Sequence, residues 1–266
     1  MEDLIKSIIL GIIQGFTEFL PVSSTGHLVL GRKFFGLSEA GLFLDTMLHL
    51  GTLIAVVIVF WDDIVYMVKN PFSKLTLLIV VGTIPTAIIG LTFKDYFEEI
   101  SRTGATLGWE FLATGLILWF ADTYKGKNNK GIEQISYRDA LFIGTLQGAA
   151  ILPAISRSGL TIAGSLFRGI NKNDAARFSF LLSLPAILGA VVLNSVNLFN
   201  GEEAASLEAI GGWGPLIAGT LAAAVAGYIA VKWMLKILQT GSLKVFSIYV
   251  WALGIMVLIL QFLGKW

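Results

Sequence analysis

Two stretches of this 266-residue chain repeat one another. Residues 11–27 read Gly-Ile-Ile-Gln-Gly-Phe-Thr-Glu-Phe-Leu-Pro-Val-Ser-Ser-Thr-Gly-His, and residues 144–160 read Gly-Thr-Leu-Gln-Gly-Ala-Ala-Ile-Leu-Pro-Ala-Ile-Ser-Arg-Ser-Gly-Leu. A constant offset of 133 pairs Gly11 with Gly144, Gln14 with Gln147, Gly15 with Gly148, Ser23 with Ser156 and Gly26 with Gly159. The same offset sets Ser24 against Arg157. In both copies an apolar run is cut by Leu-Pro and a Ser-rich turn, and Pro cannot continue a helix because it lacks the backbone donor. Irregular backbone at membrane depth survives only when buried in protein or lining a wet cavity. A repeated, interrupted hydrophobic segment is therefore the strongest sequence pointer to a binding site inside a membrane protein.

The membrane reading rests on composition. Hydrophobic residues make up 55% of the chain and charged residues 14%, against about 25% charged in soluble domains. The mean hydropathy is +0.78. A net charge of +1 leaves no nucleic-acid footprint, and the absence of Cys excludes disulfides, thiolate metal sites and a Cys nucleophile. Residues 1–10 lack the basic start and cleavage site of a signal peptide, so the mature chain is expected to begin near Met1. The longest polar stretch, 122–139, reads as a loop.

Six segments are long enough to span: about 43–61, 75–93, 107–121, 174–195, 213–233 and 244–263. Residues 5–20 with 24–35, and 139–152 with 156–168, are too short to cross singly and read as two re-entrant hairpins of half-helices. The repeat extends further. Gly82-Thr83-Ile84-Pro85 and Gly90 match Gly219-Thr220-Leu221-Ala222 and Gly227 at offset 137, and Gly115-Leu116 matches Gly254-Ile255 at offset 139. The expected fold is an all-α polytopic membrane protein, one membrane domain over 1–266 built from halves of about 1–122 and 138–263. Each half carries one hairpin and three crossings; three is odd, so the halves are inverted and the hairpins enter from opposite faces.

Lys and Arg bias orients the chain. With the N-terminus outside, the cytoplasmic side holds twelve basic residues (Lys69, Lys74, Lys125, Lys127, Lys130, Arg138, Arg168, Lys172, Arg177, Lys232, Lys236, Lys244) and the outer side six (Lys6, Arg32, Lys33, Lys94, Arg102, Lys265). The acidic segment with Glu202, Glu203 and Glu208 also falls outside. Both termini are expected outside, and Trp61, Trp109, Trp213 and Trp233 near span ends are expected to anchor at the interface.

Gln14 and Glu18 are four apart and share one face of the first half-helix. Ser23, Ser24 and Thr25 open the next, with His27 in its first turn; Ser156, Arg157 and Ser158 occupy the equivalent turn of the other half, followed by Thr161. Half-helices that start at membrane depth aim free N–H groups and a positive dipole end inward. Together with Arg157 they make an anion site suited to phosphate. Ser and Thr at a helix start are often only caps, a buried His is often structural, and a buried Arg can merely brace Glu18. Intramembrane Glu and Arg nevertheless default to function because inserting them costs several kcal/mol. Asp45 and His49, another i, i+4 pair, read as a structural hydrogen bond within the bundle, and Glu110 as interfacial.

At these residues the chain resembles the undecaprenyl-diphosphate phosphatase family, also called bacitracin-resistance proteins. The family's first motif, Glu or Gln, three residues, then Glu, matches Gln14 and Glu18 and continues through Phe19-Leu20-Pro21-Val22-Ser23-Ser24-Thr25-Gly26-His27. The second, Pro-Gly-x-Ser-Arg-Ser-x-x-Thr, matches Pro153 to Thr161 with Ala154 in place of Gly. The likeness covers essentially the whole length, including Tyr137-Arg138-Asp139-Ala140 and Phe178-Ser179-Phe180-Leu181-Leu182.

The resemblance implies hydrolysis of a polyprenyl diphosphate to the monophosphate and inorganic phosphate in the cell membrane. This recycles the lipid carrier of peptidoglycan synthesis and confers bacitracin resistance. It also implies dependence on a divalent cation, Mg²⁺ or Ca²⁺, for which Glu18 helped by Gln14 would be the ligands, and a site open to the outer face. Gln14 in place of the commoner Glu leaves one carboxylate fewer. Ala154 would be strained only at positive φ, which is not expected there.

On this reading Glu18, Ser24, His27 and Arg157 are the catalytic set. Gln14, Ser23, Thr25, Ser156, Arg157, Ser158 and Thr161 bind the phosphates. Ser24 is the candidate nucleophile with His27 as base or proton shuttle; His27 as nucleophile, or water activated by it, are the alternatives. The lipid substrate and the bilayer are the expected partners, with a homodimer as an allowed state. The rival reading is a transporter or flippase of polyprenyl phosphate or a small anion, since inverted repeats with broken helices also build carriers.

Overall fold

A computed structural model of the chain describes residues 1–37, 41–124, 126, 129–199 and 204–266. Lys125, Lys127, Glu202 and Glu203, used above to orient the chain, lie outside the described residues. The described chain is all helical. The first hairpin is α1 (Glu2–Phe19) and α2 (Ser24–Phe35), followed by α3 (Gly41–Val59), α4 (Trp61–Lys69), α5 (Lys74–Thr92), α6 (Lys94–Thr103) and α7 (Leu107–Thr123). The second hairpin is α8 (Tyr137–Ala149) and α9 (Arg157–Phe167), followed by α10 (Lys172–Phe199), α11 (Ala204–Ala209), α12 (Trp213–Thr240) and α13 (Lys244–Phe262).

Local chemistry sets these limits. α1 stops where Leu20 turns extended (ψ 143°) ahead of Pro21. The hydroxyl of Ser23 then accepts the Gly26 N–H to cap α2, and Gly36 closes that helix in the left-handed region at φ 69°. Ser136 and Asp139 form a capping box at the start of α8, and Ser156 caps α9 by accepting the Gly159 N–H. The four half-helices match the ranges read from sequence within three residues at each end.

The expected segment 43–61 corresponds to α3, Gly41–Val59, and a further short helix follows it. The helix breaks at Phe60, and Trp61–Lys69 runs on at 81° to the segment before it. The acidic pair Asp62 and Asp63 sits in the first turn of α4, where a helix N-terminus favours negative charge. α5, α10, α12 and α13 are each long and apolar enough to cross a membrane, and α3 with α4 makes a fifth if the bent pair counts as one. α7 is the shortest of the six expected spans at 17 residues. This makes the chain a multi-pass membrane protein. Its outer faces agree: α12 exposes Leu221, Val225 and Ile229, and α13 exposes Ile248, Ile255 and Ile259. Such stripes would be a liability in water and are ordinary against lipid.

The helices interlock across the two halves. α1 packs along α12 and α8 along α5, while α7 pairs with α13 and α3 meets α10. Two glycines make the first two contacts close. A side chain on Gly11 would collide with the carbonyl oxygen of Gly219, and one on Gly144 with that of Gly82. Gly11 and Gly144 are equivalent in the repeat, and so are Gly82 and Gly219, so each half-helix docks on the counterpart of the helix that receives its twin. Trp61, Trp109, Trp213 and Trp233 are all at least half exposed or nearly so. Arg32, counted above with the outer basic residues, is instead buried against Asp45 at 3.1 Å.

Candidate active site

The turns of the two hairpins meet in the interior. Ser23 donates its hydroxyl hydrogen to the carbonyl of Pro153 (2.6 Å), and Ser158 donates to the carbonyl of Leu20 (3.2 Å). Ser23 has φ 68° and ψ 105°, the one non-Gly residue at positive φ among those described. Such a conformation costs on the order of 1–3 kcal/mol and persists only when its surroundings enforce it. Ala154 lies outside the positive-φ region, as expected.

Glu110, read from sequence as interfacial, is corrected. It is buried, accepts the Ala154 N–H (2.6 Å) and also accepts from the Thr106 hydroxyl. One turn on, Thr114 donates to the Ala154 carbonyl (2.8 Å) and accepts the Ser156 N–H (3.1 Å). α7 thus holds the second turn as a rigid template. Its role is invisible in the repeat because it acts across 40 or more residues.

Glu18 is the hub. Its Oε2 accepts from Ser24 Oγ (2.5 Å) and from Gln14 Nε2 (3.0 Å), and its Oε1 accepts from Arg157 Nη2. His49 Nε2 lies 3.4 Å from Oε2. The carboxylate comes from the end of the first half-helix, the hydroxyl from the start of the second, and the guanidinium from the opposite hairpin. Arg157 Nη1 is buried and makes no hydrogen bond.

These groups sit at the polar end of a cavity of about 500 Å³ lined there by Glu18, Ser23, Ser24, Thr25, Asp45, Thr46, His49, Ser156 and Arg157. The rest of its wall is mostly apolar and comes largely from α5, α6, α10 and the turn between α8 and α9, including Leu91, Phe97, Ile151, Ile155, Ile187 and Leu193. Leu91 and Leu193, which line it, are also exposed. The starts of α2 and α9 both face the polar end, and helix N-termini with a free guanidinium N–H form a site for an anion.

The sequence-predicted residues divide accordingly. Glu18, Ser23, Ser24, Thr25, Ser156 and Arg157 line the cavity. Gln14 stands behind Glu18, Ser158 ties the two turns, and Thr161 hydrogen bonds to the Arg157 carbonyl (2.8 Å) and to Ser179 (2.6 Å); none of these three lines it. His27 is turned away as well. Its Nδ1 donates to the Ser23 carbonyl (2.6 Å), its Nε2 accepts from the Tyr249 hydroxyl (2.8 Å), and its ring stacks on Tyr249 and meets Phe111 edge-on. The histidine at Glu18 is His49. The expected Asp45–His49 hydrogen bond exists, but it runs from His49 Nδ1 to the backbone carbonyl of Asp45 (2.6 Å), while the Asp45 carboxylate pairs with Arg32.

Gln14 and Glu18 do not form a cation cage. Gln14 offers Glu18 its amide nitrogen, its own Oε1 is buried without a partner, and both Glu18 oxygens are taken, one of them by a cation. Among the described residues no group of three or more His, Asp or Glu side chains is placed to hold a metal ion.

The bacitracin resistance protein BacA family matches residues 7–256 of the chain. Undecaprenyl-diphosphatase 3 of Bacillus cereus is 58% identical over 258 residues, 97% of each chain. Undecaprenyl-diphosphatase of Carboxydothermus hydrogenoformans is 54% identical over 260 residues, 98% of each chain, and that of Halothermothrix orenii is 44% identical over 261 residues, 97% of this chain and 98% of the other.

Proposed function

The chain belongs to the bacitracin resistance protein BacA family, and from that premise we propose how its site hydrolyses undecaprenyl diphosphate to the monophosphate and inorganic phosphate. The chain is an undecaprenyl-diphosphatase of the membrane, a phosphatase that returns the lipid carrier to cell-wall synthesis and confers bacitracin resistance. One observation carries the mechanism. A partly buried guanidinium with an unpartnered Nη1 stands beside a serine whose hydroxyl is already bonded to a carboxylate.

Arg157 and the N–H groups opening α2 and α9 receive the diphosphate. Ser24 Oγ attacks the terminal phosphorus as Glu18 Oε2, 2.5 Å away, takes its proton. The bond from that phosphorus to the bridging oxygen breaks, and the polyprenyl monophosphate departs with its charge balanced by Arg157. Glu18 passes its proton to the departing monophosphate; water then attacks the phosphoserine and gives a proton to Glu18, and as the P–Oγ bond breaks Glu18 returns that proton to Oγ, releasing phosphate and restoring Ser24. His27 is a poor nucleophile or base here because both ring nitrogens are engaged away from the cavity. The apolar wall takes the tail.

The proposed topology is two inverted halves, about 1–122 and 138–263, with six crossings including α7. Both termini and the site would face outwards. The reciprocal Gly11–Gly219 and Gly144–Gly82 contacts support that relation. The transporter reading finds no support, since the relatives described above are named diphosphatases. Phosphate release from undecaprenyl diphosphate by purified protein tests the mechanism. Ser24→Ala and Arg157→Ala should fall to background, and a wild-type rate from Ser24→Ala would overturn the serine as nucleophile.

A further inference from the structure

His49 belongs to neither copy of the repeated motif, yet it is the side chain of α3 that reaches Glu18. Its orientation is fixed from behind. The Asp45 carbonyl oxygen can only accept, so the Nδ1 that lies 2.6 Å from it carries hydrogen, and the ring is locked with Nε2 forward. Nε2 then faces Glu18 Oε2 at 3.4 Å from the cavity wall, and because a carboxylate oxygen can only accept, the ring steadies it as an imidazolium, with hydrogen on Nε2 as well. That oxygen is the one bonded to Ser24.

We infer that His49 is a positioning residue: it holds the Oε2 edge of Glu18 against Ser24 when the diphosphate engages Arg157. The inference rests on the reading of Glu18 as the base for Ser24. Arg157 grips Oε1, the far oxygen of the carboxylate. When its guanidinium turns part of its bonding to an incoming phosphate, Glu18 loses some of that anchor and its carboxylate is free to rotate. Gln14 steadies Oε2 from within the helix, four residues back. His49 steadies it from the opposite helix, on the cavity side. Two supports from different elements fix a direction that one cannot.

An apolar side chain of similar size would fill the space and hold nothing. His49→Leu should therefore lower kcat by about 10- to 100-fold with KM changed by no more than about twofold, the signature of lost alignment rather than lost binding. His49→Gln, whose amide can reach Glu18 from the same backbone, should recover most of that rate. In an enzyme already carrying Glu18→Gln, His49→Leu should cost nothing further. Thermal unfolding of each purified variant checks that it is folded, with His49→Met as the apolar comparison if His49→Leu is not.

A wild-type kcat from His49→Leu, an equal loss in His49→Gln, or a persisting cost in the Glu18→Gln background would each overturn the inference. The underlying reading fails separately: a wild-type rate from Glu18→Gln alone would remove Glu18 as the base, whatever His49 does.

Discussion

Ser23 donates its hydroxyl hydrogen to the carbonyl of Pro153, 130 residues away, at 2.6 Å. This bond fastens the turn of one hairpin to the turn of the other, and Ser23 adopts φ 68° to make it. Two substitutions separate the bond from the backbone. Ser23→Ala keeps the strained conformation and loses the tie. Ser23→Gly loses the same tie but adopts positive φ freely, so it should be more stable than Ser23→Ala by about 1 kcal/mol. Neither should recover the wild-type rate. Unfolding midpoints and phosphate release, measured together, decide it.

His27 is held by Ser23 and Tyr249 away from the cavity. Its role should then be to brace the turn that presents Ser24. Asn at this position can still donate an amide hydrogen towards the Ser23 carbonyl, but it cannot act as a base. His27→Asn should keep a larger share of kcat than His27→Ala, and His27→Ala should lose rate and melting temperature together. Equal collapse of both variants, with unchanged melting temperatures, would return His27 to the chemistry.

Asp139 caps the second hairpin at its surface end. Burial alone would raise its carboxyl, but the Ser136 amide, Arg168, the Ser136 hydroxyl and Lys130 together hold it at about 2. An unfolded chain titrates this group near 4. A depressed folded value contributes stability that is fully present above the unfolded one and is lost as pH falls through about 4 to about 2. Asp139→Asn should melt below wild type at pH 7, and the gap should close across that window. A gap independent of pH would show that packing, not charge, links α8 to Arg168.

The described residues form no preassembled cluster for a divalent ion. A cation that serves the reaction should therefore arrive with the diphosphate, whose oxygens supply ligands beyond those that the described residues group together. The melting temperature of the substrate-free protein should be indifferent to added Mg²⁺ or Ca²⁺ and to a chelator. A rise of several degrees on adding either ion would reveal a resident site.

The natural absence of Cys makes orientation directly testable. Lys265→Cys and Asn129→Cys both place a thiol at exposed positions. With both termini outside, a membrane-impermeant maleimide added to intact cells should label the first and spare the second until the membrane is permeabilised. The reverse pattern would invert the proposed topology.

The half-helices were legible because what ends them is local: Pro21 and Pro153 with the Ser caps that follow act within a few residues. The helix that starts at Trp61 was not, since Val59-Phe60-Trp61 carries neither Gly nor Pro and only Asp62 and Asp63 hint at a new helix start. In the site, Ser24 and Arg157 could be grouped because the repeat itself sets them opposite one another, and Glu18 because it lies just before the break at Pro21. Sequence adjacency grouped His27 with them, while its ring follows the helix rotation back to the Ser23 carbonyl. His49 and Glu110 come from helices outside the repeated motif. The i, i+4 pairing of His49 with Asp45 was visible, but what His49 and Glu110 face depends on how helices pack, which no local pattern reports.

Leu91 and Leu193 line the cavity and are also exposed, which under the proposed membrane placement turns its opening to lipid. A substrate entering between them never has to leave the bilayer, so encounter is a search in two dimensions. The quantity that governs turnover is then the mole fraction of diphosphate among the surrounding lipids rather than its amount per volume of water. Diluting the membrane with inert lipid starves the enzyme, while diluting the whole suspension does not.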